Sequence, residues 1–124
     1  MDNCLFCKIA RGEIPSRKVY EDDGIFAFHD INPARPVHIL VVPKRHITSL
    51  ATATAEDTPV LGRMLSIANK LATENGSPDG FRVIINTGRI GQQEVEHLHA
   101  HIVGGPDPVG PMLKRVSGDE SWVA

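Results

Sequence analysis

Apolar residues recur along the chain in two rhythms. Ile25 to Asp30 alternates, with Ile25 and Ala27 on one side and Phe26 and Phe28 on the other, the period of a β-strand. Val37 to Val42 is apolar except at His38, rich in β-branched residues, and ended by Pro43, as suits a central strand. Farther on, Leu61, Met64, Leu65, Ala68 and Leu71 recur at steps of three and four, the apolar face of one long helix. Thr54-x-x-Asp57 supplies its start, Pro59 fits its first turn, and Asn75-Gly76 carries the left-handed residue types that close it. Shorter signals complete the order. A short helix over 4–11 stops at Gly12 and Pro15, and a strand begins at Val19-Tyr20 before the turn at 21–24. A strand over Phe81 to Asn86, a loop at 87–91 and a last strand over His97 to Val103, closed by Gly104-Gly105-Pro106, follow. Strands that do not alternate regularly with helices predict an antiparallel α+β fold of about five strands.

Length and charge narrow this picture. A chain of 124 residues predicts one domain, with a core over about 4–105 and a tail over 106–124 that is rich in Pro and Gly as far as Pro111. Trp122 in that tail is either a hydrophobic anchor or a residue that reaches a partner. A net charge of −2, from 13 basic and 15 acidic residues, gives no electrostatic reason to expect nucleic acid. A polyphosphate ligand needs only local positive potential and stays open. No apolar run approaches the roughly 18 residues of a membrane span, and no secretory leader pattern opens the chain. The chain therefore reads as cytosolic, without a membrane partner. Its only cysteines, Cys4 and Cys7, lie too close together to staple a secreted fold.

The candidate chemistry is concentrated in His97-Leu98-His99-Ala100-His101. On a strand these three histidines, half of the six in the chain, face one way while Leu98, Ala100 and Ile102 face the core. A solvated strand face would not repeat one uncommon residue at three successive positions. Metal binding is one functional reading, although residues four apart on a strand are roughly 13 Å apart, too far for all three to hold one ion. Nucleophilic catalysis by an imidazole reactive near neutral pH is the other. The run itself does not choose between them.

The segment His-Leu-His-Ala-His-Ile-Val at 97–103 resembles the motif of the histidine triad superfamily. Gly12-Glu13-Ile14-Pro15, Phe28-His29-Asp30-Ile31, the stretch His38 to His46, Asn86 and Gly104-Gly105 are similar to its nucleotide-binding branch, in the same order. The resemblance spans residues 4 to about 113, and Gly-Pro-Met-Leu at 110–113 looks like bacterial members.

This resemblance implies a homodimer whose sheets join across the interface. It also implies hydrolysis of purine nucleoside 5′-phosphoramidates or related nucleotidyl conjugates, through a covalent nucleotidyl-histidine and without metal in the chemical step. Its alternatives within the superfamily are dinucleoside polyphosphate hydrolysis and nucleotidyl transfer; the alternative of another class is a nucleotide-binding interaction module with little catalysis. By the same resemblance His99 is the nucleophile, His101 contacts the phosphate and assists the leaving group, and His38 completes the cluster. Asp30 takes the ribose hydroxyls, while Phe6, Ile9, Phe28 and Ile31 form an apolar base pocket. Asn86 bonds near the phosphate end, and Gln93, Glu94 and Val95 line the same pocket. His29 falls at the surface or the pocket rim. Gln92 stands where the family has glycine, and Glu94 and Glu96 are further departures that bear on substrate preference.

Cys4-x-x-Cys7 has the spacing of half a zinc site, and equally of two reduced buried thiols. Some bacterial relatives complete such a pair with two histidines, which correspond to His46 and His97. The resemblance thus implies a closed, structural Cys₂His₂ zinc away from the chemistry.

Overall fold

The structure, a computed structural model, describes residues 3–111. Trp122 and the rest of the tail from residue 112 lie outside the described residues. Strands β1 (Lys18–Glu21), β2 (Ile25–His29), β3 (Val37–Pro43), β4 (Arg82–Ile84) and β5 (Ala100–Gly104) form one sheet in the order β1-β2-β3-β5-β4. Every neighbouring pair is antiparallel. The short helix α1 (Leu5–Ala10) precedes β1, and α2 (Thr58–Ser66) and α3 (Ala68–Glu74) lie between β3 and β4. This is the α+β architecture that the apolar pattern predicts.

Strand alternation sorts the side chains onto two faces. Ile25 and Ala27 of β2, Val37, Ile39 and Val41 of β3, and Ala100 and Ile102 of β5 pack with Met64, Ala68 and Leu71 from the helices. The opposite face buries Phe26, Phe28, Leu40 and Val42 under Phe6 and Ile9 of α1. Phe6 and Phe28 meet edge to face at 5.6 Å, a geometry that adds about 0.5–1.5 kcal/mol to burial alone. His38 and His101 alternate with residues of the first face and so belong to the α1 face.

Three boundaries differ from the sequence reading. The long helix is two segments, α2 and α3, joined at Ile67, whose backbone stays right-handed (φ −81°, ψ −14°) and whose N–H still bonds Arg63 O. Its start is a 3₁₀ turn at Ala55–Asp57, capped reciprocally by Thr54 and Asp57. β4 covers only the middle of the strand expected over 81–86.

The larger correction concerns the histidine run. β5 begins at Ala100, so His97, Leu98 and His99 precede the ladder rather than belong to it. β3 ends at Pro43, which has no N–H to continue the pairing. The chain beyond the ladder is held by other bonds. His97 Nε2 donates to Pro43 O at 2.8 Å, and Leu98 N–H donates to Ile47 O at 2.6 Å.

Candidate active site and metal centre

A cavity of about 510 Å³ opens on the α1 face. Phe6, Ile9, Phe28, Ile31 and Leu40 give it apolar walls, and Asp30, Asn86, His38, His99 and His101 give it polar groups. Ile31 is 86% exposed at its mouth, an apolar surface that a bound ring would cover. Glu94, Val95 and Gln92 complete one side. Among the described residues no Lys or Arg lines it.

The imidazoles form an ordered chain of donors and acceptors. Ala34 N–H donates to His38 Nδ1 at 2.9 Å, which places the proton of a neutral His38 on Nε2. That Nε2 lies 2.9 Å from His101 Nδ1, so it donates and leaves His101 with its proton on Nε2. Asp30 Oδ2 stands 3.5 Å from the same His38 nitrogen. Burial pushes the His101 pKa down to about 4, with His99 and His38 adding to the shift. Burial lowers His38 as well, against the opposing pull of Asp30. Both rings are therefore neutral at pH 7, as the bond pattern requires.

His99 is fixed differently. Its Nδ1 lies 2.8 Å from the carbonyl oxygen of His97, an acceptor only, so Nδ1 must carry the proton. Nε2 has no hydrogen-bond partner among the described residues. The ring is buried between Phe6 and His101, each 5.0 Å away centroid to centroid. A neutral His99 in this tautomer presents its Nε2 lone pair.

Asp30 both lines the cavity and starts a turn, since Oδ1 accepts the Asn32 N–H at 2.8 Å. Gln93 is the one expected pocket residue that does not line the cavity. Its Nε2 donates to Thr48 O at 2.8 Å and Val95 O at 2.9 Å, while its Oε1 accepts the Gly88 N–H at 3.0 Å. It ties down the loop that carries Gln92 and Glu94. Leu40, missed in the sequence, stands two residues after His38 on the same strand face, so the period of β3 could have found it. His29 lines the cavity too, half in and half out of solvent.

Cys4, Cys7, His46 and His97 bring one donor atom each within 4.8 Å of one another. The His46 and His97 Nδ1 atoms lie 3.3 and 3.2 Å from Cys4 Sγ, and both are 3.4 Å from Cys7 Sγ. A tetrahedral zinc would hold sulfur and nitrogen about 3.5 Å apart, so the donor set fits the ion. The second nitrogen of each ring is used in the way zinc-bound histidines require, His97 Nε2 on Pro43 O and His46 Nε2 3.3 Å from Thr48 Oγ1. Burial and the neighbouring Cys4 thiol push Cys7 up to about 11, a cost that a bound cation would reverse. The group is not remote from the histidine cluster, because the carbonyl oxygen of His97 accepts from His99 Nδ1.

The chain matches, over residues 3–116, a family model described as scavenger mRNA decapping enzyme C-term binding. It is 54% identical over 106 residues to protein HitA of Neisseria gonorrhoeae, covering 86% of this chain and 99% of that one. It is 48% identical over 113 residues to the purine nucleoside phosphoramidase of Escherichia coli K12, covering 90% and 94% of the two chains. A histidine triad protein from Clostridium difficile superposes with a TM-score of 0.84 at 48% identity, over 92% of this chain and 98% of that one. A zinc-bound histidine triad family protein from Mycobacterium smegmatis superposes with a TM-score of 0.72 at 31% identity, over 84% and 76%. With the ordered imidazoles, the cavity and these relatives together, the chain belongs to the histidine triad family of hydrolases.

Proposed function

We propose that the protein cleaves purine nucleoside 5′-phosphoramidates or closely related nucleotidyl conjugates through a covalent intermediate on His99. The observation that carries this reading is the 2.8 Å bond from His99 Nδ1 to the His97 carbonyl, which frees Nε2 for attack. Nε2 adds to the α-phosphorus as the bond to the leaving amine breaks, and the amine departs with a proton. His101 Nε2–H, set in that tautomer by the bond from His38, donates that proton. Water then cleaves the phosphorus–nitrogen bond to His99 and releases the nucleoside monophosphate. Two displacements at a fixed imidazole replace one difficult hydrolysis.

Asp30 is the ribose acceptor in this reading, and Phe6, Ile9, Phe28 and Ile31 hold the base. Asn86, Glu94 and Val95 border the phosphate and leaving-group side, with Gln93 supporting them through the loop. The similarity to a purine nucleoside phosphoramidase supports the substrate class, and the chemical step in this reading uses no metal. Zinc, where bound, takes Cys4, Cys7, His46 and His97 and supplies cross-linking of the chain. The homodimer implied by the sequence resemblance and a cytoplasmic location belong to the same proposal. His99→Ala is expected to abolish turnover of an adenosine 5′-phosphoramidate while AMP binding, measured by calorimetry, survives. Retained turnover in that variant contradicts the proposal.

A further inference from the structure

We propose that the Cys4, Cys7, His46 and His97 group positions the nucleotide site, so that zinc and nucleotide each strengthen the binding of the other. The inference rests on the nucleotide reading of the cavity and extends it to the metal centre.

Three observations join the two places. First, α1 has six residues, too few to hold a helical form alone, so its position is set by what it is tied to. Cys4 caps it, with Sγ accepting the Cys7 N–H at 3.2 Å, and both thiols face the His46 and His97 nitrogens. The same helix puts Leu5, Phe6 and Ile9 into the cavity wall. Fixing the thiols therefore fixes the wall against which a base would stack.

Second, Phe6 lies between the two thiols in sequence and between the two sites in space. Its ring meets His97 at 6.1 Å, His99 at 5.0 Å and Phe28 at 5.6 Å. Third, His97 offers Nδ1 to the thiol group while its carbonyl oxygen accepts from His99 Nδ1. Leu5, Glu94 and Val95 also border both the nucleotide cavity and a second cavity that opens beside Cys4 and His46. Movement at the thiol group is thus transmitted to the cavity by a shared helix, a shared histidine and a shared wall. Binding energies linked in this way are reciprocal.

The test uses the full chain loaded with zinc, and follows zinc release to a chromophoric chelator with and without saturating AMP. AMP is expected to slow release by about fivefold or more, a coupling of ordinary size for two linked sites. Calorimetry on metal-free protein is expected to show weaker AMP binding, by the factor by which AMP raises the equilibrium affinity for zinc. Phe6→Leu leaves the four donors in place and is expected to shrink the effect of AMP on release. A metal that only stabilises the fold would give the same AMP effect in both proteins, and that result overturns the inference. Equal release rates with AMP bound by calorimetry overturn it while leaving the nucleotide reading intact. If the zinc-loaded protein binds no AMP, the nucleotide reading fails and the coupling falls with it; a chain that takes up no zinc overturns the coupling alone. Should the metal-free chain unfold, the release measurement on the loaded chain decides alone.

Discussion

One backbone carbonyl, that of His97, fixes the ring tautomer of His99, the nucleophile in the proposed reaction, while the His38–His101 pair is held neutral by burial. Replacing His99 by Ala is expected to lower turnover on the order of 10⁴-fold or more, the scale seen when a covalent nucleophile is removed. His101 carries a pH signature of its own. Its pKa falls from an ordinary 6.5 to about 4 in the folded chain, so below pH 6.5 the unfolded state takes up a proton that the folded state refuses. Stability is therefore full above pH 6.5 and declines as pH falls towards 4. His101→Gln is expected to flatten that decline in a series of melting temperatures. The loop that Gln93 anchors gives a second contrast. Gln92 sits at φ +58°, where an L side chain is strained, and Gln92→Gly is expected to leave stability unchanged or raise it by up to about 1 kcal/mol. Beside it, a Cβ on Gly91 would lie 2.6 Å from Thr87 O, against unyielding backbone. Gly91→Ala is accordingly expected to destabilise, as read by denaturant melts of both variants.

Among the elements, β5 shows how closely the strand end is shared between packing and chemistry. A Cβ on Gly104 would come 2.1 Å from Ser77 Oγ, whose hydroxyl donates to Gly80 O and accepts the Gly105 N–H. Gly104→Ala is expected to cost roughly 1–3 kcal/mol, the scale of overpacking, measurable as a fall in melting temperature. The alternation of β2 was plain in the sequence, because Ile25, Ala27, Phe26 and Phe28 each face the side their period assigns. His38 entered the cluster only through the family resemblance, whereas the same period set His101 opposite Ala100 and Ile102. It failed at His97, since bonds to Pro43 O and the pull of the thiol group take that residue off the ladder, and neither is written in local pattern. The side chain of Gln93 turns from the cavity for a related reason: its amide reaches Thr48, 45 residues away in sequence. The break at Ile67 lies within an unbroken apolar periodicity, and nothing in the pattern marks it.

At the scale of the molecule, one sheet separates a helix-covered core from a smaller face on which α1 closes the cavity. The proposed site lies on the α1 side, where a six-residue helix is held by thiols, aromatic contacts and apolar packing against β2 and β3. Chelation of zinc is expected to raise KM for a phosphoramidate while leaving kcat within about threefold, because removal of a positioning group acts mainly on binding. Among the described residues no helix is long and apolar enough to cross a membrane. The central claim, covalent attack by His99 on phosphorus, is tested most directly by mass spectrometry of the protein quenched during turnover of an adenosine phosphoramidate. One adenylyl group attached to His99, absent from His99→Ala, is the expected result. Turnover at a full rate with an unmodified His99 peptide, or an adduct on another residue, would contradict it.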